Sequence, residues 1–184
     1  MKVSNILAFV AAFSSTSSVL AAPVDIVEDV QVRDFEPESA DANLPGLNAL
    51  QTKYALAIIA QSKKDGVGHH GCSAAIATGL VESSLIMYAN NAVPASLKYP
   101  HDRVGSDHDS IGIFQQRASI YKNIACDMGA GCSAGQFIAE MKRVSGWQSM
   151  AIGTLCQKVQ RSAYPDRYAK FAPTAEKVCS AGGL

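Results

Sequence analysis

The chain has 184 residues, 48% of them hydrophobic, and equal numbers of acidic and basic residues. This length is enough for one domain with a substantial core. The basic residues are too few and too scattered to indicate a nucleic-acid partner, and no segment reads as a membrane span.

Residues 1–21 predict a secretory signal peptide. Lys2 supplies the positive start, residues 6–13 form a short apolar stretch, and Val19-Leu20-Ala21 resembles a small-residue cleavage site. The apolar stretch is too short to cross a membrane and is followed by a polar, serine-rich segment. We therefore expect cleavage after Ala21 or Ala22 and a secreted, extracellular protein.

Residues 22–46 predict an acidic linker or pro-segment ahead of a domain at 47–184. Seven acidic residues and a single basic one lie between Asp25 and Asp41, and apolar periodicity is weak. From Leu44 onward, fourteen basic residues outnumber nine acidic ones. A mildly basic body suits an anionic polymer as substrate, although an ordinary solvated surface explains the same surplus.

The apolar spacing predicts a mainly α fold. A first helix containing Tyr54 and Ser62 should end at Gly66 and Gly68, and a second, largely buried helix should span about Cys72–Tyr88. Prolines, asparagines and glycines interrupt residues 89–117, where 106–116 predicts a short hairpin or irregular loop touching the core through Ile111 and Phe114. Further helices are expected at 134–144 with Ser133 as N-cap, at about 149–161, and from about Pro165 with a break at Pro173.

The five cysteines predict disulfides, and their odd number leaves at least one unpaired within the chain. Spacing does not determine connectivity, but we favour Cys126–Cys132 and Cys156–Cys179, with Cys72 left over. The cysteine and histidine spacings do not match a zinc site, so no metal or cofactor is expected.

Glu82 is the only charged side chain between Asp65 and Lys98, with histidine counted as neutral, and it lies late in the predicted buried helix. A carboxyl group in such surroundings must be paired, hydrogen-bonded or neutral. Burial would raise its pKa and make it a usable general acid. A structural ion pair, for example with Arg117, explains the residue equally well.

A second polar segment runs from Val104 to Arg117 and contains two aspartates. In an extended segment Asp107 and Asp109 would point to one face and could assist Glu82 in glycoside cleavage. The alternative is a turn in which the aspartates cap their own backbone, and Asp109 is slightly favoured over Asp107 as the auxiliary carboxylate. Close approach at Gly112 and hydrogen bonds to sugar groups from Gln115 and Gln116 complete the predicted site.

Three blocks in this order resemble the lysozyme-like superfamily: Thr78–Leu85, Asp107–Arg117 and Val159–Phe171. Glu82-Ser83 and Gly112-Ile113-Phe114-Gln115 match the Glu-Ser and Gly-x-x-Gln motifs of goose-type lysozymes and soluble lytic transglycosylases. The longer runs look closer to cell-wall-hydrolase domains of actinobacteria and their phages. The cysteine-bearing version is similar to a family of secreted fungal lysozyme-like proteins. The resemblance covers about Leu50 to Cys179.

The resemblance implies a lysozyme-like helical domain that cleaves the β-1,4 bond between N-acetylmuramic acid and N-acetylglucosamine. Glu82 would be the general acid, Ser83 would hold Glu82 or a sugar, and Gln115 would line the cleft. Tyr164 falls roughly where the transglycosylases place a tyrosine facing the acid. The chain lacks their Ala-Tyr-Asn-Ala-Gly string, which argues against non-hydrolytic transglycosylation.

The expectation is therefore a secreted, monomeric muramidase acting on peptidoglycan, with a small irregular or β-hairpin insertion in a disulfide-stapled helical domain. No nucleic-acid or membrane partner is expected. Two alternatives stay open: a glycosidase that cleaves chitin or chitosan, and a non-catalytic secreted protein that binds glycan or acts as an effector on the same scaffold.

Overall fold

A computed structural model describes residues 43–164 and 166–184. The expected signal peptide at 1–21, most of the expected linker at 22–46, and the predicted helix start at Pro165 lie outside the described residues.

The described chain is mainly α, with a small β insertion between its second and third helices, as the sequence predicts. The α-helices are α1 (Ala49–Lys64), α2 (Gly68–Ser83), α3 (Ile124–Asp127), α4 (Ala130–Lys142), α5 (Ile152–Gln160) and α6 (Ala172–Ala181). Short 3₁₀ turns lie at Ser96–Lys98, Trp147–Ser149 and Tyr168–Phe171. Strands β1 (Tyr88–Asn90) and β2 (Arg103–Gly105) pair in parallel, and β3 (Ser110–Ile111) and β4 (Gln116–Arg117) form an antiparallel hairpin.

Helix α2 is the centre of the core and packs against α1, α4, α5 and α6. Every residue from Gly71 to Leu80 is buried, because the helix carries small and apolar side chains on all sides. At Gly79 an added β-carbon would overlap Leu85 and crowd Ile113, so this glycine allows the β insertion to pack onto the helix. Ile111 and Phe114 are both buried there, as predicted.

The bounds of α2 differ from the predicted span of about Cys72–Tyr88. The helix begins at Gly68 and ends at Ser83, because Ser84 and Leu85 adopt left-handed backbone conformations with φ of 58° and 54°. The amide of Leu85 donates to the carbonyl of Gly79 (3.0 Å), which closes the helix end. The chain therefore leaves the helix directly after Glu82 and Ser83.

Two other predicted helix signals were wrong in position. Ser133 lies inside α4 and is not its N-cap; its hydroxyl donates to the carbonyl of Gly129 (2.9 Å). Pro173 lies in the first turn of α6, where its missing N–H is tolerated, and does not break a helix.

Two disulfides join described cysteines: Cys72–Cys179 between α2 and α6, and Cys126–Cys132 between α3 and α4. The second pair confirms the prediction, whereas Cys156–Cys179 was wrong. Cys156 is buried on α5, where its thiol donates to the carbonyl of Ala74 on α2 (3.3 Å) and burial raises its pKa to about 11. Cys179 is bonded to Cys72 because α6, which carries Cys179, packs against α2.

Two polar side chains, the exposed Asp102 and the buried Asn90, stabilise the β insertion. The carboxylate of Asp102 accepts from the Tyr54 hydroxyl of α1 (2.8 Å) and from the Met87 amide (2.9 Å). The side-chain amide of Asn90 donates to the carbonyls of His108 and Ser110, both at 3.1 Å. These bonds fix the loop that carries Asp107 and Asp109.

Within residues 43–164 and 166–184, no helix has the length and apolar character that a membrane span requires.

Candidate functional site

Glu82 lies half-buried in the last turn of α2, at the junction with the β insertion. The hydroxyl of Tyr168 donates a hydrogen bond to its Oε1 atom. Tyr168 is fully buried in the 3₁₀ turn before α6, so its ring is held rigidly behind the carboxyl group. The Gln160 side chain, at the end of α5, also interacts with the carboxyl group.

Burial raises the pKa of Glu82 above its ordinary value, and this effect outweighs the opposing ones. Tyr168 and Gln160 favour the charged form by hydrogen bonding, and the positive charge of Arg167 does so through space. The negative charge of Asp107 adds to the increase. The site therefore keeps Glu82 protonated to a higher pH than an exposed glutamate.

The tyrosine that faces Glu82 is Tyr168 and not Tyr164. The side chain of Tyr164 is 59% exposed, and its ring stacks with the guanidinium of Arg167 at 4.1 Å. Both tyrosines belong to the Tyr-Pro-Asp-x-Tyr-Ala run of the sequence. No local sequence signal separates the two tyrosines; Tyr168 is buried because the 3₁₀ turn that carries it packs against α2 and α5.

The two candidate aspartates have different surroundings. The carboxylate of Asp109 pairs with the guanidinium of Arg117 and accepts from the Ser119 amide (2.6 Å), and these partners hold its pKa well below the ordinary range. Asp107 is exposed, and its nearest described partner is the Ser110 hydroxyl at 3.5 Å. Asp107 therefore has weaker interactions with its surroundings than Asp109, whereas the sequence slightly favours Asp109 as the auxiliary carboxylate.

Ser83 and Gln116 are turned into the protein. The buried hydroxyl of Ser83 donates to the carbonyl of Gly79 (3.2 Å) and accepts from the Ile86 amide (3.3 Å), so it closes the end of α2. The side chain of Gln116 is 5% exposed, and its amide donates to the carbonyl of Ser133 (3.3 Å). The described contacts give both residues a structural role and place neither against Glu82.

Gln115 lies at the rim of a cavity of about 470 Å³ that adjoins Glu82 through Gln160. Its amide donates to the carbonyl of Gly112 (2.9 Å), whereas the amide of Gln160 donates to the carbonyl of Phe114 (3.2 Å). We call this cavity the Arg161 pocket, after the residue that follows α5. The residues that line it are Gln115, Gln116, Arg117, Ile120, Tyr121, Glu140, Val159, Gln160 and Arg161.

Residues other than glycine that adopt left-handed backbone conformations gather around the site. Such conformations cost on the order of 1–3 kcal/mol each and persist where the surrounding structure imposes them. Two of them follow Ser83, one separates Asp107 from Asp109, and two line the Arg161 pocket. In chain order they are Ser84, Leu85, His108, Gln115 and Arg161.

Gly112 is fixed by the backbone of another element. Its φ is +76°, and an added β-carbon would overlap the carbonyl oxygen of Asp127 at the end of α3. The close approach that the sequence predicts at this glycine is therefore made by the backbone. The same contact seats the loop of Gln115 on the turn closed by the Cys126–Cys132 disulfide.

Among the described residues, no three histidine, cysteine, aspartate or glutamate side chains form a group that could hold a metal ion. No family model matches the chain, and no curated protein matches it at a significant level.

Proposed function

We propose that the chain is a secreted glycoside hydrolase of the muramidase type, with Glu82 as its general acid. The observation that carries this proposal is the state of Glu82. Its half-buried carboxyl group, held by Tyr168 and Gln160, has a raised pKa in an otherwise apolar helix end. A carboxylic acid that stays protonated to a higher pH than an exposed glutamate suits the protonation of a glycosidic oxygen.

Asp107 supplies the second group of the reaction. Glu82 gives its proton to the glycosidic oxygen as the bond to the anomeric carbon breaks. A water molecule then adds to the anomeric carbon, and the proton it loses passes to the carboxylate of Asp107. Asp107 suits this role because it is exposed and its charge acts on Glu82, whereas Asp109 is held by Arg117.

Peptidoglycan is the proposed substrate because of the motif resemblance around Glu82-Ser83, Gly112–Gln115 and Val159–Phe171. The two disulfides support an oxidising, extracellular environment, which agrees with the predicted signal peptide at 1–21.

The test is the Glu82→Gln variant on purified peptidoglycan. Glutamine keeps the size and hydrogen bonding of Glu82 but has no proton to transfer, so we expect hydrolysis to fall by roughly 10²–10⁴-fold. Mass spectrometry of the wild-type digest should show reducing muramic acid ends. Glu176→Gln is the matched control, since Glu176 is exposed on α6.

Circular dichroism and thermal unfolding should give the same fold for both variants and the wild type. Wild-type rates in a correctly folded Glu82→Gln variant would refute the assignment. Cleavage of chitin oligomers in preference to peptidoglycan would move the activity to the alternative substrate class.

A further inference from the structure

The Arg161 pocket contains a cation that no described carboxylate neutralises. Arg117 is paired with Asp109, which lies outside the pocket lining, and the acidic residue that does line the pocket, Glu140, is paired with Arg143 (2.8 Å). For Arg161, the described residues offer no carboxylate within ion-pair distance. The pocket therefore presents one paired and one free guanidinium, together with the Glu140 carboxylate that is paired with Arg143.

The backbone at Arg161 favours a different residue. Arg161 ends α5 with φ of 54° and ψ of 36°, a conformation in which glycine is the residue most often found. Gln115, across the pocket, has φ of 49°. Two long polar side chains thus occupy left-handed backbone positions on one cavity, which favours a binding role for these side chains. The favourable interaction of a cation with a helix C-terminus is the competing explanation for Arg161.

The pocket is continuous with the proposed catalytic position. Gln160 interacts with Glu82, donates to the Phe114 carbonyl and also lines the pocket. A glycan whose scissile bond lies at Glu82 therefore has its neighbouring substituents at the pocket. In a muramic-acid glycan these substituents carry carboxylates, either on the lactyl ether or on the attached peptide, and chitin has neither.

We propose that the Arg161 pocket binds a carboxylate carried by the muramic acid residue, with Arg161 as the specificity-determining cation. Guanidinium groups recognise carboxylates through paired N–H donors, and the Tyr121 and Gln115 side chains offer further polar contacts at the pocket wall. This inference rests on the proposed function, since it assumes a glycan at Glu82. It adds a reason for selecting peptidoglycan over chitin.

The test measures binding in the Glu82→Gln background, so that its outcome does not depend on cleavage. Three tetrasaccharides are titrated by calorimetry: one of muramic acid type with attached peptide, the same glycan with the peptide removed and the lactyl carboxylate free, and chitotetraose. Arg161→Gly should raise Kd about tenfold for at least one carboxylate-bearing ligand and less than twofold for chitotetraose.

Two further variants separate recognition from structure. Arg161→Lys keeps the charge and should retain part of the selectivity, whereas Lys158→Gln removes an exposed cation from the same helix and should leave all three Kd values unchanged. Arg161→Gly should also raise the melting temperature, because glycine relaxes the left-handed backbone.

The carboxylate ligand that loses affinity identifies the group that Arg161 holds. Equal changes for all three ligands, or no change for any, would overturn the inference. Failure of the proposed function would give a different result, namely that the wild-type protein cleaves none of the glycans.

Discussion

Asp107 and Asp109 are two residues apart, yet their surroundings assign them different tasks. Asp109 accepts from Arg117 and from the Ser119 amide, and its charge is stabilised in place. Asp107 has no ion-pair partner among the described residues, and its charge contributes to the raised pKa of Glu82. A carboxylate that must accept a proton during turnover is better left without a strong partner.

Asp107→Asn and Asp109→Asn should therefore differ in kind. Asp107→Asn should lower the hydrolysis rate by roughly 10²-fold or more, because the water loses its base. It should also move the high-pH limb of the kcat/KM profile to lower pH, since removing the negative charge lowers the pKa of Glu82. Rates on peptidoglycan across pH measure both effects.

Asp109→Asn should instead lower the melting temperature and leave the high-pH limb in place, because it removes the Arg117 pair and weakens the contact with the Ser119 amide. The opposite pattern, with the limb shifted by Asp109→Asn alone, would return the auxiliary role to Asp109.

At this scale the charge pattern of the sequence singles out Glu82 but does not identify the residues that contact it. Glu82 is isolated by charge, which is visible in one dimension. Tyr168 was missed in favour of Tyr164 because both lie in one polar run, and only packing separates a buried ring from an exposed one. Gln160 and Arg161 were missed because the end of α5 meets β4 only in three dimensions.

Among the elements, α2 and α6 are joined by the Cys72–Cys179 disulfide, and α3 and α4 by Cys126–Cys132. The first closes a long loop, with a sequence separation of 107, and the second a short one, with a separation of 6. The entropy that a cross-link removes from the unfolded chain grows with loop length. The two bridges should therefore contribute unequally to stability.

We expect Cys72→Ala/Cys179→Ala to lower the free energy of unfolding by about 4–5 kcal/mol and Cys126→Ala/Cys132→Ala by about 2 kcal/mol. Removing both partners avoids exchange with the buried thiol of Cys156. Denaturant unfolding under identical conditions gives the comparison. A larger loss from the short loop would show that local packing dominates over chain entropy.

The helices were predicted from apolar spacing, but several of their ends were not. No glycine or proline marks the end of α2 in the sequence. The helix ends because Ser84 and Leu85 adopt left-handed conformations, which their residue types do not suggest. The partner of Cys179 follows from the packing of α6 on α2, which spacing along the chain does not encode.

Among the carboxyl groups of residues 43–164 and 166–184, two have raised pKa values and one has a lowered value. Burial raises the pKa of Asp127 to about 6; its carboxyl group accepts from Gln136 (2.7 Å), and its Oδ2 atom has no described partner. Glu82 is raised as well, and Asp109 is lowered. A carboxyl group whose pKa is raised by folding stabilises the folded state at pH values below its pKa in the unfolded chain. This contribution is lost as pH rises through its pKa in the folded state.

The free energy of unfolding should therefore fall as pH rises from about 4 to above 6. Below about 4, protonation of Asp109 should reverse the trend. Asp127→Asn should shrink the difference in stability between pH 4.5 and pH 7.5 by about 1–3 kcal/mol, because it removes the proton that folding adds to Asp127 in this range. Urea unfolding at several pH values measures it.

Asp166→Asn, at an exposed position, serves as the control and should leave the pH dependence intact. An Asp127→Asn variant whose stability still falls with pH as steeply as that of the wild type would contradict this account.

Gly112 has a consequence for the variation that this scaffold can accept. Two independent conditions apply at this position, a positive φ and the absence of room beside the Asp127 carbonyl, and relief of one leaves the other in force. Alanine is therefore no milder than a larger residue here. In a library randomised over 110–117, functional clones should share glycine at 112 whatever the other positions accept, so any redesign of the pocket rim has to keep this glycine.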